Sequence, residues 1–187
     1  MNTRQLPLLV SAAACLALVA PPVPAYAADP ARCVGGETES RGKSAVDDGE
    51  IRWTDNTGYD DARKYAISKW QYSGSKIKIV ADSAITSNDL EFKDGNLGTG
   101  PKDPLGRYER HGSIGATDYI VFNKQKLRGA SKELLRYVAL HELGHALGLC
   151  HKADTVISLM WKVAPSAGYE ITWIPDIDKA NYRKLWG

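Results

Sequence analysis

The side chains best suited to chemistry in this chain are clustered histidines. The sequence has 4 histidines in 187 residues, and three of them fall within the eleven positions from His141 to His151. His141 and His145 are four residues apart with Glu142 after the first, which is the H-E-x-x-H pattern. Residues four apart share one helix face, so both imidazoles can reach one metal ion while the glutamate stands beside it. The pattern predicts a zinc site.

His151 is the candidate for a third zinc ligand. A continuing helix would carry it away from the ion, but Gly148 can adopt the left-handed conformation that ends a helix and turns the chain back. Three nitrogens and a water make an open tetrahedral site of the catalytic kind. Glu142 would take the proton of that water as a general base. The alternative, a solvated helix with two surface histidines, leaves the spacing of Gly148 and His151 unexplained.

The elements that must position this site follow from periodicity and from capping residues. Ser131 is a suitable N-cap for a zinc helix at about 132–147, ending at Gly148. Alternating and β-branched segments predict four strands, at 51–54, 76–80, 89–93 and 118–123. Helical spacing of apolar residues predicts one further helix at 60–72. The glycine-rich stretch 94–117 is predicted as a long loop. This order of elements favours an α+β fold with a mixed sheet packed against helices.

Residues 141–151 carry a resemblance to a known family. Their sequence, H-E-L-G-H-A-L-G-L-C-H, resembles the H-E-x-x-H-x-x-G-x-x-H signature of the metzincin metalloproteases. Metzincins place a methionine in a tight turn beneath the zinc. Met160 lies nine residues after His151 and is identified with that Met-turn, at about 158–161. The alternative for a lone methionine is that it fills space in the core.

Within the metzincins, the chain is most similar to the matrixin catalytic domain. The similarity includes the D-Y-I-V-F-N strand before the zinc helix, the Ser-Leu-Met turn and the segment from Pro175 to Gly187. Astacins differ, because they place a tyrosine two residues after the Met-turn methionine, where this chain has Lys162. The resemblance implies a zincin-like domain over 49–187 with a mixed twisted sheet, two long helices and a small C-terminal subdomain ending in a helix at about 176–186.

The resemblance also implies an activity. It predicts a zinc-dependent endopeptidase with one catalytic Zn²⁺, which binds an extended protein or peptide substrate in a cleft. Pro165 and Tyr169 fall where the family builds the wall of its main specificity pocket. Two alternatives remain: a zinc-containing binding or inhibitory module without proteolysis, and a peptidase for cell-wall peptides. Glu142 argues against the first, because zinc affinity does not need it, and no appended wall-binding segment favours the second.

The N-terminal residues predict export. Residues 1–27 contain a basic Arg4, an apolar run from Leu6 to Ala20 and a small-x-small site ending at Ala27, which are typical of a signal peptide. The run is short and is broken off by Pro21, Pro22 and Pro24, which makes it a poor membrane span, with an uncleaved anchor as the alternative. Residues 28–48 lack apolar periodicity and are predicted to be a tail or linker. We therefore expect a secreted, extracellular monomer with no stable membrane insertion.

Cys33 and Cys150 are the cysteines that remain after signal cleavage. In an oxidising compartment two such thiols normally pair, so the sequence predicts a disulfide. The alternative comes from the resemblance: Ala31-Arg32-Cys33 is similar to the arginine-cysteine segment by which matrixin pro-domains place a thiolate on zinc. In that case Cys33 would act as an inhibitory latch.

Composition limits the other partners. The formal net charge of +2 is too close to neutral to indicate a nucleic acid, and 43% hydrophobic with 9% aromatic residues argues against disorder. The segment Asp94-Gly95-Asn96 is a candidate for Ca²⁺ but lacks a regular coordination pattern. His111, the histidine outside the cluster, is assigned to a surface loop, with substrate or second-metal binding as the alternative.

Overall fold

The fold is built on one mixed sheet. The computed structural model describes residues 28–83, 87–112, 115–166 and 168–187, so the predicted signal peptide lies outside the described residues. In that part of the chain the strands are β1 (Glu50–Asn56), β2 (Lys78–Ala81), β3 (Leu90–Gly95), β4 (Gly106–Glu109) and β5 (Asp118–Asn123). Their order is β2-β1-β3-β5-β4, and β4 alone runs antiparallel to its neighbour. The predicted α+β class with a mixed sheet is confirmed.

Helices pack against this sheet, and two helices also pack against each other. They are α1 (Asp60–Trp70), the short α2 (Lys124–Leu127), α3 (Lys132–Ala146) and α4 (Asp176–Trp186). The long helix α3 packs on α1 and also contacts β4 and β5. At the α1–α3 contact, the indole N–H of the buried Trp70 donates a hydrogen bond of 3.0 Å to the Leu140 carbonyl oxygen. The buried surfaces of the sheet and of these helices form one hydrophobic core.

Local signals define both ends of α3. The Ser131 hydroxyl accepts a hydrogen bond of 3.1 Å from the Leu134 N–H, which is the predicted N-cap. Gly148 has φ +87°, which is the left-handed conformation expected where the chain leaves the helix. A Cβ atom at Gly148 would also lie 2.5 Å from the Ser40 carbonyl oxygen. A glycine at this position therefore allows both the left-handed turn and the close approach of the Ser40 backbone.

The structure differs from the predicted elements in several places, and two of these differences have a clear cause. The stretch predicted as a long loop contains β4, whose four residues show no alternation and which is stabilised by pairing with β5, for example Tyr108 opposite Ile120. Strand β2 begins at Lys78 and not at Lys76. The reason is that the N–H groups of Lys76 and Ile77 both donate to the Tyr182 hydroxyl, at 3.0 and 2.8 Å, instead of to a neighbouring strand.

Residues 31–48, which we call the N-terminal strap, run antiparallel to residues 146–151. Backbone hydrogen bonds join Val34 N–H to the His151 oxygen at 3.0 Å, Ser40 N–H to the Gly148 oxygen at 3.1 Å and Ala45 N–H to the Ala146 oxygen at 2.8 Å. The strap also contains a short 3₁₀ helix at Arg41–Lys43. The segment predicted as a tail is thus held along its length by residues distant in sequence.

The predicted disulfide between Cys33 and Cys150 is present and ties the start of the strap to the residue before His151. Both sulfur atoms are used in this bond, so neither cysteine offers a thiolate to a metal. No helix of the described chain has the length and apolar character needed to span a membrane.

Candidate active site

The three predicted zinc ligands converge on one point. His145 Nε2 lies 3.2 Å from His141 Nε2 and 3.1 Å from His151 Nε2. The ligand atoms of all three residues lie within 4.8 Å of one another. Tetrahedral zinc with Zn–N bonds of about 2.0–2.1 Å separates two ligand nitrogens by about 3.3 Å. The spacing of the nitrogens therefore fits a single zinc ion.

Hydrogen bonds at the other ring nitrogen determine which nitrogen faces the centre. His141 Nδ1 lies 2.9 Å from the Leu159 carbonyl oxygen, and His145 Nδ1 lies 2.9 Å from the Leu149 carbonyl oxygen. A carbonyl can only accept, so each Nδ1 carries the proton and each Nε2 presents a lone pair. Lone pairs at such short separation repel each other unless a cation lies between them. The donor set is thus suited to a metal ion.

Burial keeps two of these imidazoles neutral. It lowers the pKa of His145 to about 4, with the neighbouring His151 acting in the same direction. Burial also lowers the pKa of His141 well below its ordinary value, and His145 adds to that effect. Metal ligation requires the unprotonated nitrogen, so both residues are ready to bind a metal at neutral pH.

The carboxyl group of Glu142 lies in a buried position beside β4. Burial raises its pKa to about 8, opposed by a hydrogen bond from the Tyr108 backbone N–H and by the charge of Arg107. A cation held by the histidines would also favour the ionised carboxylate. A Cβ atom at Gly106 would lie 3.0 Å from Glu142 Cγ and 2.6 Å from Val138 Cγ1, so this glycine lets β4 approach α3 closely.

The turn at residues 158–161 packs against helix α3 and bonds the first histidine of the site. Met160 is fully buried, and Gly144 of α3 makes room for its sulfur atom. Asp178 of α4 holds the turn, because its carboxylate accepts hydrogen bonds of 2.7 Å from the Ser158 hydroxyl and from the Leu159 N–H. Leu159 in turn bonds His141 through its carbonyl oxygen. The last helix is thereby linked to the first histidine of the site.

Glu37 is a site contact that the sequence pattern did not reveal. Its carboxylate lies 2.8 Å from His151 Nδ1 and accepts a hydrogen bond of 2.9 Å from the His151 backbone N–H. Burial alone would raise the pKa of Glu37, but these bonds and the nearby histidines lower it overall. The strap has no periodicity that marks a buried residue. The available signal was the predicted disulfide, which brings Cys33, four residues before Glu37, beside His151.

The other candidates lie outside this centre. His111 is exposed, its Nδ1 is 2.8 Å from the Thr117 carbonyl oxygen, and its ring packs edge-on against Tyr119. The Asp94 carboxylate accepts hydrogen bonds from the Thr57 hydroxyl and the Gly58 N–H, at 2.5 and 3.1 Å. Among the described residues, the histidine triad is the one group of three metal-ligating side chains that a disulfide does not already occupy.

A cleft of about 880 Å³ opens over the three histidines and Glu142. Its lining includes β4 with the preceding loop and the segment Trp161–Ala164. Because β4 is the last strand of the sheet, one of its edges has no neighbouring strand among the described residues. Tyr169, predicted for the specificity wall, is 76% exposed, and neither it nor Pro165 lines the described part of this cleft.

Two histidines and a glutamate on helix α3, with a third histidine just after it, form a donor set that fits a zinc metallopeptidase. A scan against protein families matches residues 31–187 to the matrixin family. The chain therefore belongs to the matrixin family of zinc metallopeptidases. The match includes the whole N-terminal strap as well as the predicted catalytic domain. A search of curated proteins finds no match.

Proposed function

We propose that this protein is a secreted zinc endopeptidase that hydrolyses internal peptide bonds of protein substrates. His141, His145 and His151 hold the zinc ion in this proposal, and Glu142 is the general base. The observation that carries it is the convergence of three Nε2 atoms, 3.1 and 3.2 Å apart, in a cleft that Glu142 also lines.

The chemistry is divided between the ion and the protein. Zinc in an open three-histidine site supplies Lewis acidity, which acidifies a water molecule and polarises a carbonyl group. The Glu142 carboxylate accepts the proton of the attacking water and then donates it to the nitrogen of the leaving amine. Burial raises the pKa of Glu142 to about 8 in the metal-free protein, and the charge of a bound zinc ion would lower it toward neutrality, which suits a group that must both take and give a proton there.

The free edge of β4 supports an extended substrate. A peptide that pairs with this edge gains backbone hydrogen bonds whatever its sequence, while alternate side chains point into the cleft or away from it. Such pairing holds the chain on both sides of the bond to be cleaved, which suits an internal bond better than a chain end. Export of the enzyme is supported by the N-terminal signal pattern and by the Cys33–Cys150 disulfide.

The decisive experiment uses the mature chain loaded with one equivalent of zinc. We expect it to cleave casein and internally quenched peptides, to lose activity with a chelator and to regain it with added zinc. Glu142→Gln should lower kcat by about 10²–10⁴-fold while the zinc affinity stays within a few-fold of wild type. Glu91→Gln is the matched control, since that side chain on β3 bonds Asn56 far from the cleft.

Other outcomes would change the proposal. A zinc-loaded protein that cleaves no peptide at any pH would favour the binding or inhibitory module. Preferential cleavage of cross-linked cell-wall peptides over proteins would favour the cell-wall peptidase. Full activity of Glu142→Gln would contradict the assignment of the general base.

A further inference from the structure

The strap contacts His151 at three atoms. The Val34 N–H donates to the His151 carbonyl oxygen at 3.0 Å, and the His151 N–H donates to Glu37 Oε2 at 2.9 Å. The third contact is in the ring, where His151 Nδ1 lies 2.8 Å from Glu37 Oε1 and 3.0 Å from Glu37 Oε2. Both the backbone and the imidazole of this residue are therefore held by residues more than one hundred positions earlier.

The partner of His151 differs in charge from the partners of the other two histidines. His141 and His145 each bond a neutral backbone carbonyl through Nδ1, whereas His151 bonds a carboxylate. A carboxylate accepts the Nδ1 proton more strongly, which increases the electron density at Nε2 and makes the imidazole a better metal ligand. It also prevents the ring from rotating or changing tautomer.

Glu37 is itself held in place from both sides along the strap. Cys33 is bonded to Cys150, and Glu39 Oε1 lies 2.5 Å from Lys152 Nζ, with side chains only 7% and 0% exposed. Three strap residues thus hold three consecutive residues, of which His151 is the middle one. Lys152 Nζ adds a hydrogen bond of 3.1 Å to the Ala31 carbonyl oxygen. The backbone that carries Glu37 therefore cannot move away from His151 without displacement of this covalent and ionic attachment.

We propose that Glu37 is a positioning residue of the metal centre, which fixes the orientation and the Nδ1-protonated tautomer of His151 and thereby strengthens zinc binding. The inference rests on the proposed function, because it requires that the three histidines hold zinc. It assigns the N-terminal strap a part in the site. The strap is not simply a linker that precedes the domain.

The test compares Glu37→Gln and Glu37→Ala with wild type and with the control Glu91→Gln. Zinc affinity is measured by competition with a chromophoric chelator, and the Co²⁺-substituted proteins are compared by their visible absorption. We expect Glu37→Ala to bind zinc about 10–100-fold more weakly. Glu37→Gln should lose less, since its amide oxygen can still accept the Nδ1 proton but lacks the charge. Both variants should show a changed Co²⁺ spectrum at saturation.

Three results would overturn the proposal. Zinc affinities of both variants within threefold of wild type would show that Glu37 has no effect on the centre. Weaker binding with an unchanged Co²⁺ spectrum would assign Glu37 a structural role. A metal-free Glu37→Gln protein that unfolds at a much lower temperature than wild type would do the same. If Glu37→Ala does not fold, the near-isosteric Glu37→Gln decides.

These experiments distinguish a failure of the positioning role of Glu37 from a failure of the proposed peptidase function. Wild-type protein that binds zinc and cleaves peptides, together with unaffected Glu37 variants, would refute only the positioning role. Wild-type protein that binds no zinc would refute both. Each sample is first titrated for free thiols, so that any effect is measured with the Cys33–Cys150 bond intact.

Discussion

Gly144 of the zinc helix lies directly against Met160 of the turn beneath it. A Cβ atom at Gly144 would be 2.5 Å from Met160 Sδ, and 3.2 Å from Trp70 Cζ2 of helix α1. The helix can therefore lie on the methionine and the tryptophan together only because residue 144 has no side chain. The glycine between the two H-E-x-x-H histidines has a packing role as well as a place in the motif.

Substitution of Gly144 by alanine tests this contact. Alanine is a better helix former than glycine by about 1 kcal/mol, so without a clash the variant would be more stable than wild type. Overpacking of this kind costs roughly 1–3 kcal/mol. We therefore expect urea unfolding to show a loss of stability and zinc affinity to fall as α3 shifts. Gly42→Ala is the control, because its Cβ would make an ordinary 3.6 Å contact with Ser40 Oγ. A Gly144→Ala protein at least as stable as wild type would contradict the contact.

The buried carboxyl of Glu142 predicts a pH dependence in the metal-free protein. Folding raises its pKa from 4.5 to about 8, so the folded state holds a proton there that the unfolded state has lost. Stability from this group is thus complete below about pH 4.5 and is lost as the pH rises toward about 8. Since one pKa unit corresponds to about 1.4 kcal/mol, Glu142→Gln should gain on the order of 4–5 kcal/mol relative to wild type over that range.

This dependence is measured by urea unfolding of both metal-free proteins at several pH values between these limits. His141 and His145 have lowered pKa values, so they change the unfolding free energy with pH in the opposite sense and make the folded state less stable in acid. Both proteins contain these histidines, so the difference between the two proteins removes their contribution. A difference in unfolding free energy that stays constant with pH would show that Glu142 is not desolvated as described.

Removal of the disulfide should weaken both the fold and the site. The bond joins residues 117 positions apart, and a cross-link of this span typically contributes about 2–4 kcal/mol. We expect the Cys33→Ser, Cys150→Ser double variant to lose about that amount in urea unfolding and to bind zinc more weakly, because the strap is released. Thiol titration of the native mature protein should find no free thiol. Two reactive thiols would instead support the inhibitory-latch interpretation of Cys33.

Metal content should depend on the triad and not on His111. The His111 ring is exposed and its Nδ1 bonds the Thr117 carbonyl oxygen, while the neighbouring Asp118 carboxylate already accepts hydrogen bonds from the His111 backbone N–H and the Tyr108 hydroxyl. We expect wild type and His111→Ala to bind one zinc per chain by elemental analysis, and His145→Ala to bind none at the same free zinc concentration. A second equivalent that disappears in His111→Ala would establish a second metal site.

Local sequence was sufficient for the parts of the fold that local interactions form. The zinc helix is defined by a serine cap, by apolar spacing and by Gly148, all of which act within a few residues. Strand β5 is similarly marked by its β-branched and aromatic residues. The H-E-x-x-H spacing then places His141 and His145 on one helix face without any tertiary information.

The remainder depends on contacts between distant residues. Strand β4 has no alternating pattern, and it forms because β5 provides hydrogen-bond partners and Gly106 allows close approach to α3. Glu37 lies in a segment whose composition is typical of a linker, yet it bonds a residue 114 positions away. A local pattern cannot encode such a pairing. The two cysteines were the one signal that related the strap to the site.

The Cys33–Cys150 bond has a consequence for how the enzyme acquires its metal. Because the cross-link at Cys150 and the ion pair between Lys152 and Glu39 hold the chain on the two sides of His151 without help from zinc, we expect the ligands to remain assembled when the ion leaves. Zinc then dissociates from and binds again to a protein that is folded in both its metal-free and its zinc-bound state. We expect the loading rate to increase in proportion to the free zinc concentration, since no refolding step precedes binding. A protein molecule that has lost its metal then stays able to bind zinc again.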